Sequence, residues 1–117
     1  MPKFLMLFRR APENTPTKPP SPEAMQQMMA TWNAWLDKFK KSGNLLDPGD
    51  ALKPTGKVVK SGGVVTDGPI AESKEVIGGF SIIQADTYDE AVAIALESPG
   101  GQAPGALIEV REFAGWV

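Results

Sequence analysis

The chain has 117 residues, 42% of them hydrophobic, with 12 basic against 14 acidic side chains and a formal net charge of −2. That length suits one domain able to bury about two-thirds of its unfolded surface, and the mixed charge leaves no electrostatic footprint for nucleic acid or an anionic membrane. With neither cysteine nor histidine, disulfides, thiolate nucleophiles, sulfur-ligated metals and imidazole acid–base chemistry drop out together.

Lys3–Phe8 is a short apolar run that reads as a strand. Phe4, Met6 and Phe8 fall on one side and Leu5 and Leu7 on the other, so both faces of the strand need cover. Two helices in so small a protein can cover only one face of a sheet. The other face calls for a second copy of the chain, and a homodimer is the expected assembly. Met1–Phe8 is too short, and too soon interrupted by Arg9-Arg10, to be a signal or a membrane span. The expected compartment is cytoplasmic, with no membrane partner.

Residues 10–20 carry Pro12, Pro16, Pro19 and Pro20 without periodicity and read as a Pro-rich loop, either a mobile linker or a lid. Ser21 then has the character of an N-cap, Pro22 suits the first helical position, and Glu23 complements the dipole. Met25, Met28, Met29, Trp32, Trp35, Leu36 and Phe39 recur at helical spacing, and Gly43 closes the helix. Such a stripe predicts a core face rather than a ligand stripe, and a buried Trp35 would need a partner for its indole N–H.

Residues 44–56 predict a short irregular strand with a turn at Asp47-Pro48-Gly49-Asp50, whose carboxylate spacing does not match a calcium loop. Residues 57–60 and 63–66 flank Ser61-Gly62 as a hairpin. No helix start follows Gly62-Gly63, so it is not a phosphate loop. Asp67-Gly68-Pro69 is a stop signal. Glu72, Lys74 and Glu75 follow on a short polar connection. Gly78-Gly79 then admits close backbone approach before the apolar run Phe80–Ile83. Thr87 to Glu90 is a capping box opening a helix to about Ser98 that buries Ala91, Val92, Ala95 and Leu96. Pro99-Gly100-Gly101 ends it, and Leu107–Phe113 is a final strand. Phe113 and Trp116 suggest a tail that docks on something, the second subunit included.

The run Thr66-Asp67-Gly68-Pro69-Ile70-Ala71-Glu72-Ser73-Lys74-Glu75, followed by Gly78-Gly79-Phe80, resembles the signature of the YCII-related family in its DGPF-motif branch. Ser21-Pro22-Glu23 and Gly105–Arg111 fit the same family, so the resemblance spans residues 1–117 as one domain. Ile70 stands where the family has phenylalanine. The resemblance implies an α+β, ferredoxin-like βαββαβ fold with an extra hairpin strand, paired through its sheets into a dimeric α+β barrel. The element order read from the residues agrees with that. Some relatives are thought to use a His–Asp pair, for which this chain has no histidine.

A charged loop between two buried strands is a common place for a site, and Asp67 is the best single candidate for a catalytic acid or base. Lys74 lies between Glu72 and Glu75 and would hold both ionised, which weakens either as a base. The candidate ligand-binding set is Arg9, Asp67, Glu72, Lys74 and Glu75. In the plainer reading Asp67 only staples its turn and the others solvate a connection. Three functions remain open: a dimer binding a small polar or aromatic molecule beside the DGP turn, an enzyme of lyase, isomerase or hydrolase type working through Asp67, and an accessory dimer that docks onto another protein. No cofactor or metal is expected.

Overall fold

A computed structural model describes residues 1–11, 18–68, 76–102 and 105–116. Strand β1 (Lys3–Arg10) is followed by helix α1 (Pro22–Ser42), β2 (Leu45–Ala51), β3 (Gly56–Val59), β4 (Val65–Gly68), β5 (Val76–Gln84), helix α2 (Tyr88–Leu96) and β6 (Leu107–Glu112). A 3-10 turn at Pro99–Gly101 precedes β6. The main sheet has four strands in the order β2-β5-β1-β6, all pairs antiparallel. With both helices on one face, this is an α+β architecture consistent with a ferredoxin-like fold. The hairpin β3–β4 forms a separate two-stranded sheet rather than widening the main one.

Alternation along β1 sets the two faces of the sheet. Phe4 sits opposite Ile83, Met6 opposite Ser81 and Val110, and Phe8 opposite Gly79 and Ile108. These side chains face α1 and α2 and form the core with Trp35, Phe39, Ala91, Ile94 and Ala95. The Trp35 indole N–H donates to the Ile94 carbonyl at 3.0 Å, which satisfies the buried donor and ties one helix to the other. On the opposite face Leu5 pairs with Ile82 and Leu7 with Phe80. These four are only half-buried, and they lie outside the core that the helices cover.

The caps form as local sequence chemistry dictates. Ser21 Oγ accepts from the Ala24 amide at 3.2 Å, and Gly43 closes α1 in the left-handed region at φ 84°. Thr87 Oγ1 accepts from the Glu90 amide, while Glu90 reaches back one residue further than a capping box requires, to the Asp86 amide at 2.9 Å.

Three expectations need correction. The stripe on α1 is buried only from Trp32 onward; Met25, Met28 and Met29 are exposed. The 21 residues of α1 span about 32 Å, and the core takes only its later turns, Trp35 and Phe39 with Trp32 and Leu36 packed beside them. On α2, Val92 and Leu96 are 42% and 73% exposed. Ile94 takes the buried place, because the sheet-facing row runs through Ala91, Ile94 and Ala95. Finally, β4 does not stop before Asp67: the strand continues to Gly68, with Asp67 opposite Lys57 and Gly68 opposite Gly56. Among the described residues no helix is long and apolar enough to cross a membrane.

Candidate functional site

Arg9 and Asp67, the two sequence candidates among the described residues, lie on different sheets. Asp67 lies on the β3–β4 hairpin, 88% exposed, and pairs with Lys57, itself 69% exposed. Among the described residues its carboxylate meets solvent and one lysine. Arg9 lies on the open face of the main sheet, where it pairs with Glu109, whose second oxygen is 3.6 Å from Arg111. Glu72, Lys74 and Glu75, together with Ile70, lie outside the described residues, as does the middle of the Pro-rich loop.

A concavity of about 470 Å³ opens where α1 crosses the end of β1. Its walls include Phe8, Trp32, Leu36 and Met28, with Arg10 and Ser81 as polar members. Arg9 contributes to the rim, and Asp67 does not line it. A volume of this order suits a small organic ligand, and mostly apolar walls with few polar groups are the usual construction of such sites.

Local sequence explains why a cleft persists here. Phe8 and Trp32 meet edge to face, with ring centroids 5.2 Å apart and planes at 84°. Trp32 in turn meets the buried Trp35 at 5.9 Å, so its ring is propped from the core side. Two glycines then keep the space beside these rings and the arginine free of side chains. A Cβ on Gly100 would fall 2.4 Å from the Phe8 ring, and one on Gly78 would fall 2.2 Å from Arg10 Nη1. Backbone thus lies directly against the aromatic wall and the guanidinium. The Pro48–Ala51 stretch of β2 closes another side. Ser81 Oγ donates to the Pro48 carbonyl at 2.8 Å, and Asp47 accepts from the Gly49 amide at 2.8 Å, which fixes that irregular strand against β5.

Alternation along β1 decides where the two arginines go, and it runs on unbroken past a register shift in the neighbouring strand. Phe8 pairs with Gly79 but Arg9 pairs with Ile77, so Gly78 is the extra residue of a bulge. Arg9 continues the open-face row of Leu5 and Leu7. Arg10 returns to the side of Phe8 and lines the cleft.

A family model described as the YCII-related domain matches residues 3–116, nearly the whole chain. The chain belongs to the YCII-related family. No curated protein matches it. In this YCII-related chain, sequence reading places the site around the DGP run, whereas the concavity is built by Phe8, Arg10 and Trp32. Alternation along β1 and the helical spacing of Trp32 carry a signal for the core side of the sheet. Neither carries one for a cavity, because that depends on the bulge at Gly78 and on the approach of Gly100 from a distant part of the chain.

Proposed function

We propose that this YCII-related protein, of the DGPF-motif branch, is a homodimer that binds a small polar or aromatic molecule in the cleft between α1 and the end of β1. The observation that carries the reading is the cleft itself: an aromatic wall of Phe8 and Trp32, held open by glycine backbone, with one guanidinium on its side. Binding is favoured over turnover through Asp67 because that carboxylate is exposed, paired with Lys57 and absent from the cleft lining. A general acid or base must come within hydrogen-bond reach of its substrate.

The dimer rests on the uncovered sheet face. Leu5, Leu7, Phe80 and Ile82 form a contiguous apolar row there, and a second copy laid on it would remove that row from water. Sedimentation at micromolar concentration is expected to give twice the 12.5 kDa chain mass; a monomer at that concentration contradicts the pairing. For the ligand, a thermal-shift screen of small metabolites is expected to raise the melting temperature for aromatic compounds, since binding to the native state alone stabilises it. The same compounds should lose their effect on Trp32→Ala. Silence across a broad screen would contradict the cleft reading.

One observation favours docking onto another protein as a second reading. Val59 and Val65 on the hairpin, with Val64 beside them, are all more than half exposed, and a lone two-stranded hairpin is marginal in water. A partner that covers this arm would stabilise it.

A further inference from the structure

Arg10 is half-buried, and its Nε is sealed from solvent without a hydrogen-bond partner among the described residues. Its neighbour Arg9 faces the other side of the sheet and has Glu109; no described carboxylate pairs with Arg10. The guanidinium lies against the bare backbone of Gly78, where any Cβ would displace it. Asp50 is the one acid among the described residues lining the cleft, and its Oδ1 is occupied by the Ala51 amide at 2.8 Å. A buried donor on a cation that lacks an acceptor is costly to leave unmade. Evolution of a purely structural wall would be served as well by an apolar side chain.

We propose that the cleft takes a planar aromatic anion, a carboxylate, with Arg10 as its counter-ion and the Phe8–Trp32 wall against its ring. This deepens the binding reading above and rests on it. The guanidinium fork matches two carboxylate oxygens at once, whereas a lysine would offer only a point charge. A carboxylate is favoured over a phosphate by what surrounds Arg10. Among the described residues no lysine lines the cleft, and Arg9, the other cation there, has Glu109 as a partner. A dianion would be left with one uncommitted cation among apolar walls. The free volume accommodates one or two fused rings.

The test is calorimetric titration of the wild-type protein with 2-naphthoate and with its neutral counterpart 2-naphthamide. The expected result is binding of the naphthoate at least tenfold tighter than the amide. Arg10→Met should erase that difference by weakening the acid alone, Arg10→Lys should keep part of it, and Trp32→Ala should weaken both compounds. Equal affinities for the two compounds in the wild type would overturn the anion preference and leave the cleft reading standing if Trp32→Ala still weakened both. Binding of neither compound, or indifference of both to Trp32→Ala, would overturn the cleft reading and this inference with it. The wild-type comparison needs no variant, so a misfolded Arg10→Met would not leave the question open.

Discussion

The cleft and the β3–β4 hairpin are both glycine-rich and both carry a charged side chain, yet they differ in what surrounds that charge. At the hairpin, Asp67 and Lys57 face each other across a two-stranded ladder, and both side chains are largely exposed to solvent. At the cleft, Arg10 lies against the Gly78 backbone in a concavity with aromatic walls, with its Nε shut away from solvent. Exposed ion pairs are screened and contribute little. A partly desolvated cation keeps most of its capacity to attract an anion. The DGP run is the more conspicuous feature in the sequence, whereas among the described residues it is Arg10 whose charge is partly withdrawn from water.

The largest expected contrast comes from glycine substitution in the body. Gly49 has φ 68°, and a Cβ there would stand 1.7 Å from the Phe80 carbonyl oxygen. Gly49→Ala should therefore detach β2 from β5 and cost about 3 kcal/mol or more, as severe backbone clashes do. Urea denaturation would measure it, and a loss under 1 kcal/mol would mean that this side of the cleft is loosely held. Next in size is Trp35→Phe, which leaves the buried Ile94 carbonyl without its indole donor. A loss of about 1–1.5 kcal/mol is expected for one net hydrogen bond, since the carbonyl keeps the Glu97 amide at 3.3 Å.

Smaller still is the effect of removing the buried Ser98 hydroxyl, which has no partner among the described residues. Ser98→Ala should leave stability unchanged or raise it by about 1 kcal/mol, because an unpaired buried hydroxyl opposes folding. A clear loss would reveal a bound water there. At the bottom of the scale is Asp67→Asn, which should shift stability by less than about 0.5 kcal/mol, as for other exposed pairs. Its ligand affinity should also match the wild type within twofold. A tenfold loss of affinity would reverse the comparison between the two regions.

Much of the fold is legible because it is set by short-range chemistry. The two-sided pattern of Phe4–Phe8, the Ser21 and Thr87 caps, the Gly43 helix end and the need of Trp35 for an acceptor all follow from neighbours in sequence. The misreadings arise where burial depends on what lies opposite. Met25, Met28 and Met29 continue the periodic stripe of Trp35 and Phe39, and periodicity cannot say that the core reaches no further along the helix than Trp32. Val92 and Leu96 are as apolar as Ile94, yet the sheet lies under a different row of α2. The site is less legible still. Alternation along β1 places Arg10 on the side of Phe8 and Arg9 on the side of Leu7, but only the positions of distant elements make a cleft on the Arg10 side.

Amide and indole NMR shifts during titration with 2-naphthoate show directly where a ligand contacts the molecule. Binding in the cleft predicts movement of the Trp32 indole N–H and of the Gly79 and Gly100 amides, with Thr66 and Asp67 unmoved. Shifts confined to the β3–β4 hairpin, with the Trp32 indole silent, would contradict it.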